Sequence, residues 1–287
     1  MGTLQVGYNL STSAAPGVDP VTDAQEAEEL GFDFVSMSDH LHGDQPTFET
    51  WTLLAWTAAA TSRVRLLTNV LGLPYRAPPV TAKMAETLHR LSGGRLLLGL
   101  GAGGADVEFR AFGLEVLPPG EKVVALDEAI AGMRAVWERP QVELDGAHLR
   151  LRGATITPRP EAPIPIWLGA YGPRMLELVG RAADGWLPSM PFAPPERLRE
   201  MRERVVAAAE AAGRDPATIT YAYNVVVHVG RRQDNGLVVS GSTDEVATDL
   251  LALVDDLQLD AITIWPSGEE RSQRHALGEV LPSLRAG

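Results

Sequence analysis

The sequence predicts an α/β fold, a single (β/α)8 TIM barrel with insertions at its C-terminal face, and three observations predict it. Short apolar runs alternate with amphipathic stretches from end to end, as strands and helices do in α/β proteins. Eight strand-plus-helix units can be counted. The fourth run, Leu96-Leu97-Leu98, is apolar without alternation, as a strand buried on both faces should be. No break in composition marks a second domain, so one barrel is expected over residues 1–287.

Each element has its own signal. Leu4 to Tyr8 reads as the first strand. Val21 to Leu30 reads as a helix, and Gly31 suits the left-handed position that ends it. Phe32 to Met37 is the second strand, Thr50 to Ala60 the second helix, and Val64 to Asn69 the third strand. Val80, Met84, Leu88 and Leu91 recur at helical spacing and lie on one face of a third helix, closed by Gly93-Gly94. Arg95 to Leu100 is the fourth strand. Val123, Leu126, Ile130, Met133 and Trp137 line one face of the next helix, expected to begin near Glu121. Val142 to Ile156 alternates around Asp145-Gly146, a hairpin signal within an inserted segment of about 141–163. Ile164 to Leu168 is the fifth strand, and Pro173 opens a helix that runs to Ala183. Asp184 to Leu187 is a short sixth strand, followed by a helix over Glu196 to Ala212. Thr218 to Val229 is the seventh strand, and Arg231 to Gly241 a polar loop. Thr243 is expected to cap a helix carrying Val246, Leu250, Leu253 and Leu257. Ala261 to Trp265 is the eighth strand and Gln273 to Leu284 the last helix.

Composition narrows the function. The chain has no cysteine, which excludes a disulfide scaffold, thiolate zinc sites, Fe–S clusters and a cysteine nucleophile. Lys plus Arg is 25 and Asp plus Glu is 37, a net charge of −12, so nucleic acid is not an expected partner. No apolar run approaches the ~18 residues of a membrane span. The N-terminus lacks a basic segment followed by an apolar one, so a signal peptide is not expected. The expectation is a cytoplasmic protein acting on a small molecule.

In a barrel the chemistry sits at the C-terminal ends of the strands. The second strand runs into Ser38-Asp39-His40-Leu41-His42. A histidine oriented by a carboxylate can give or take a proton near neutrality; the alternative is a turn with solvated histidines. His40 and His42 lack a nearby third ligand, so no metal site is expected. The third strand ends at Asn69-Val70, where an asparagine can hold a ligand edge but more often closes a turn. Gly99, Gly101 and Gly104 satisfy a G-x-G-x-x-G spacing after the fourth strand, yet a dinucleotide fingerprint belongs in a first βα turn. Backbone lying close under a flat ligand explains these glycines better, with a plain glycine-rich loop as the alternative. The fifth strand ends in Gly169-Ala170-Tyr171-Gly172-Pro173-Arg174, where a helix start and an arginine can cradle an anion, or simply form a tight turn.

Taken together these strand ends resemble the luciferase-like oxidoreductase family, the flavin- or deazaflavin-dependent (β/α)8 barrels. The matching pieces are Ser38-Asp39-His40, Tyr75 to Lys83 before Leu91 to Arg95, Gly99 to Gly103, Glu108 to Gly113, and Pro165 to Gly169 running to Asp184-Gly185-Trp186. They fall in the family's order over about Leu4 to Leu284 and are most similar to its F420-dependent branch. The resemblance implies coenzyme F420, or alternatively FMN, bound in the mouth of the barrel. It implies that His40 and Asp39 are catalytic at the reactive face of the ring. It places a non-prolyl cis peptide at Asn69-Val70 behind the ring, and Ala102 and Gly103 along it. Gly169, Ala170, Tyr171 and Gly172 would lie by the cofactor phosphate, with Arg174 as counter-charge. Two departures stand out: Gly104 replaces the acid of the family's sugar-phosphate dehydrogenases, and Asp44 stands near the place of a pocket tryptophan. The implied activity is hydride transfer between F420 and a small organic substrate, with an FMN-dependent monooxygenase as the alternative. A metal-dependent hydrolase and a non-catalytic cofactor binder are the readings outside redox chemistry. A homodimer through the helices around strands two and three is expected, because Trp51, Leu53, Leu54 and Trp56 make the second helix apolar around most of its circumference.

Overall fold

The computed structural model describes residues 3–233 and 236–286. Eight strands close a parallel barrel in chain order: β1 (Gln5–Asn9), β2 (Phe34–Met37), β3 (Arg65–Thr68), β4 (Leu96–Gly101), β5 (Ile166–Leu168), β6 (Gly185–Trp186), β7 (Thr220–Val229) and β8 (Ala261–Pro266). The ring shuts where β8 pairs with β1, Ala261 opposite Gln5, and every neighbouring pair is parallel. The interior is filled by alternate side chains, among them Phe34, Leu67, Leu97, Trp167, Ala222 and Ala261. Large and small residues interlock there. A Cβ on Gly7 would fall 2.0 Å from the Phe34 ring, and one on Gly185 would fall 2.5 Å from the Trp167 indole. Two glycines thus make room for the two aromatic rings that plug the barrel.

Outside lie α1 (Pro20–Leu30), α2 (Thr50–Ala60), α3 (Pro78–Leu91), α4 (Asp106–Ala111), α5 (Pro119–Glu138), α6 (Pro173–Ala182), α7 (Pro195–Ala211), α8 (Thr243–Leu257) and α9 (Glu270–Ala286). Gly31 takes the left-handed conformation at the end of α1, as expected. Several expectations need correction. The short α4 lies between β4 and α5, where no helix was expected, and α5 starts two residues before Glu121. The cap of α8 is Ser242, not Thr243: Ser242 Oγ accepts from the Glu245 amide, and the Glu245 side chain accepts in return from the Ser242 amide. The hairpin forms, with Val142–Asp145 antiparallel to Arg150–Ala154. It connects α5 to β5, however, so it sits at the N-terminal end of the strands, away from the mouth. Residues 234 and 235 of the polar loop lie outside the described residues; its end, Val239–Gly241, extends the sheet beside β7. Among the described residues no helix is long and apolar enough to cross a membrane.

Candidate active site

The C-terminal ends of the strands surround a cavity of about 720 Å³. Ser38, Asp39 and His40 enter it from β2, and Asn69, Val70 and Gly72 from the end of β3. The stretch from Gly101 to Ala105 and Phe109 of α4 form the next wall. Gly169, Tyr171, Gly172 and Met175 follow from the β5 side, Leu187, Ser189 and Phe192 from the β6 side, and Trp265 from β8.

His40 is oriented by a carboxylate, but not by its neighbour. Its Nδ1 lies 2.6 Å from Glu108 Oε1, while Tyr75 donates its hydroxyl to Glu108 Oε2 at 2.8 Å. The Leu41 amide donates to the same oxygen at 3.2 Å. Burial alone would raise the Glu108 pKa, but the hydrogen bonds from His40 and Tyr75 outweigh it and hold the carboxyl below its ordinary value. Burial, with the Glu108 charge alongside, pushes the Tyr75 phenol up, so it remains a donor. An ionised Glu108 only accepts, so the shared proton sits on His40 Nδ1 and leaves Nε2 for other work.

Asp39 lines the cavity and is held by partners within the protein. Its carboxylate is fully buried and takes both prongs of Arg76, at 2.7 and 3.0 Å, and the Gly72 amide at 3.0 Å. Arg76 also reaches Glu49, whose carboxylate caps α2 by accepting from the Trp51 and Thr52 amides. Asp39 therefore ties the end of β2 to the loop after β3 and, through Arg76 and Glu49, to the start of α2.

Asn69-Val70 is a non-prolyl cis peptide, as the resemblance implied. The Asn69 side chain exchanges hydrogen bonds with Asn224 of β7, at 2.8 and 3.1 Å, and Asn224 continues to Ser189 at 2.8 Å. Val70 forms the floor. A Cβ on Gly101 would lie 2.8 Å from its Cγ2, and one on Gly169 3.2 Å away. A Cβ on Gly99 would lie 1.8 Å from the Thr68 carbonyl oxygen. Protein packing, rather than a ligand, therefore demands Gly99 and Gly101. Gly104 and Gly172 differ: a Cβ on either meets nothing within 4 Å, and both line the cavity.

Ala102, Gly103, Gly169, Tyr171 and Gly172 line the cavity. Ala170 does not; it is buried, with its carbonyl accepting from the Trp186 indole at 3.0 Å. Arg174 also lies outside the lining, exposed in the first turn of α6 with its guanidinium beside Gly120. That helix follows Gly172 without a side-chain cap, and since Pro173 has no N–H, Arg174 and Met175 carry its amides without a helical partner. A flat ring over Val70 and an anionic tail at α6 both fit these walls. Among the described residues no cluster of potential ligands could hold a metal ion.

The sequence model of luciferase-like monooxygenases matches residues 9–257. The chain belongs to that family. An F420-dependent glucose-6-phosphate dehydrogenase of Kineococcus radiotolerans is 36% identical over 75% of this chain and 66% of its own length. The chain thus spans just under two thirds of that relative. The enzyme of the same description from Amycolatopsis mediterranei is 30% identical over 99% of this chain and 90% of its own. The barrel superposes on an F420-dependent secondary alcohol dehydrogenase in complex with an F420–acetone adduct, with a TM-score of 0.88 at 20% identity, covering 99% of this chain and 100% of that one. This luciferase-like barrel carries site residues that its motifs alone did not single out. Glu108, Tyr75 and Arg76 stand within the matching segments, but no local pattern says that Glu108 reaches back to His40. Ser189, Asn224 and Trp265 gave no signal, since nothing nearby in sequence distinguishes them from ordinary strand-end residues.

Proposed function

We propose that this luciferase-like barrel is an F420-dependent oxidoreductase that moves a hydride between coenzyme F420 and a small organic substrate. The curated relatives named above are F420-dependent enzymes, which supports the cofactor. The observation that carries the reading is the His40–Glu108–Tyr75 chain at the wall of a cavity whose floor is Val70 and whose end opens on α6. Bound there, the deazaflavin would supply or accept the hydride. Val70, Ala102 and Gly103 would hold the flat ring, while Gly169, Tyr171 and Gly172 with the α6 amides would hold the phosphate. Arg174 would add charge from the rim. His40 would carry the proton that accompanies the hydride, and Glu108 would keep its ring in place. Asp39 would position the strand end. Titration of the purified protein with F420 and, separately, with FMN tests the reading. Micromolar or tighter F420 binding is expected; tight FMN binding with none to F420 would point to the monooxygenase alternative.

We also propose that two copies pair through α2 and α3. Trp56 is 69% exposed, and Val80 and Leu91 are exposed along one line of α3 with Met84 between them. Each other neighbouring pair of the long outer helices packs side by side, whereas α2 and α3 touch little. A wet apolar strip there suits a second copy of the same face.

A further inference from the structure

We infer that the cavity takes a neutral, apolar ketone or the matching secondary alcohol, and not a phosphorylated sugar; the redox half of this rests on the F420 reading above. A phosphate monoester brings nearly two negative charges and is recognised through lysine and arginine. Among the described residues, neither lines the cavity. Two cations stand behind its walls, both committed, and Arg174 at the rim is the charge that the F420 reading gives to the cofactor phosphate. Arg76 is held by Asp39 and Glu49, and Lys122 Nζ donates to the Gly103 carbonyl at 2.8 Å and pairs with Asp106. With the α6 end and Arg174 taken by the cofactor phosphate, a second phosphate on the substrate would be desolvated without compensation.

The wall is built for apolar contact instead. Phe109, Met175, Leu187 and Phe192 line it, and Gly104 leaves the α4 side open. Phe192 is 67% exposed at the rim with its ring edge-on to Tyr171, centroids 5.6 Å apart. Val107 and Phe112 add exposed apolar surface along α4. Aromatic surface left wet at a cavity mouth is what an apolar ligand covers. Among the described residues lining the cavity, the imidazole is that of His40, whose Nε2 suits an oxygen. In the reducing direction the carbonyl carbon gains the hydride, with reduced deazaflavin as its source, and the carbonyl oxygen gains a proton from His40 Nε2; the ring must therefore react in its doubly protonated form, keeping the Nδ1 proton toward Glu108. The C=O bond becomes C–OH, and His40 recovers its proton from water. Alcohol oxidation is the reverse.

Calorimetric binding of 2-octanone, 2-butanone and glucose 6-phosphate, with and without F420, tests the class apart from the cofactor. Each buried methylene adds up to about fourfold in affinity. The expected result is 2-octanone bound at least about 30-fold more tightly than 2-butanone, with a negative heat-capacity change, and no binding of glucose 6-phosphate. Phe192→Ser should weaken 2-octanone more than 2-butanone. With reduced F420 the ketones should be turned over in the same order. Equal affinity for the two ketones, glucose 6-phosphate binding, or F420-loaded protein that binds 2-octanone without reducing it would each overturn the proposal. Ketone binding in the expected order by protein that does not bind F420 supports the apolar class and overturns the cofactor reading alone.

Discussion

At the scale of single residues, two neighbouring side chains share a strand end and divide its work. His40 keeps one ring nitrogen on Glu108 and offers the other to the cavity, while Asp39 is spent on Arg76. Their substitutions should fail differently. His40→Ala should lower turnover by about 10²–10⁴-fold and leave F420 affinity within a few-fold, measured by steady-state kinetics and cofactor titration. Full turnover in that variant would return His40 to a solvated turn. Asp39→Asn should instead cost roughly 1–3 kcal/mol of stability, because the guanidinium of Arg76 keeps Glu49 but loses one of its two carboxylates, and should be read first in the melting temperature. Glu108→Gln keeps the shape but removes the charge. Since the Glu108 carboxyl is held low, the intact enzyme should retain the charged acceptor well into acid. The variant should lose turnover at every pH and lack the acid-side fall that protonation of Glu108 causes.

At the scale of elements, space around the glycines and carboxylates decides which positions can change. Gly99→Ala would drive a methyl into the Thr68 carbonyl, between β3 and β4, where neither backbone can yield. The expected result is insoluble protein or a melting temperature lowered by at least about 5 °C. Gly104→Ala, five residues on in the same motif, should shift it by no more than about 1 °C. Equal effects would show that packing does not separate the two. Glu28 on α1 holds the loop before β3 by accepting from the backbone amides of Ser62, Arg63 and Val64. Burial opposes its charge, but these donors win and lower its pKa to about 2. A lowered carboxylate pKa stabilises the fold above the unfolded value and ceases to do so as pH falls towards the folded one. Acid unfolding between roughly pH 4.5 and 2 should therefore carry this contribution, and Glu28→Gln should flatten it in a pH series of denaturant melts.

At the scale of the whole molecule, the two tryptophans of α2 part company. Trp51 is packed into the core and Trp56 faces outward. Trp51→Glu should damage the fold, whereas Trp56→Glu should leave a folded monomer. Light scattering of the unaltered chain at micromolar concentration should give twice the mass of one chain. A single-chain mass there would remove α2 and α3 as an interface.

The order of strands and helices was legible in the sequence because each βα unit buries a local pattern: apolar runs for strands, one apolar face for helices. So were Gly31 and the hairpin turn, which depend on backbone conformation within a few residues. His40, Asn69-Val70 and the glycine loops could be found as strand ends, because a barrel gathers those ends at one mouth. What each does there was not legible. Only the closed barrel brings Glu108 to His40, Arg76 to Asp39 and Asn224 to Asn69, partners that are 68, 37 and 155 residues apart along the chain. The same holds for Gly99 and Gly104, which share one motif but not one environment. A hydrogen bond or a clash depends on distance in space, and chain spacing carries that distance only within a helix turn, a strand or a tight loop.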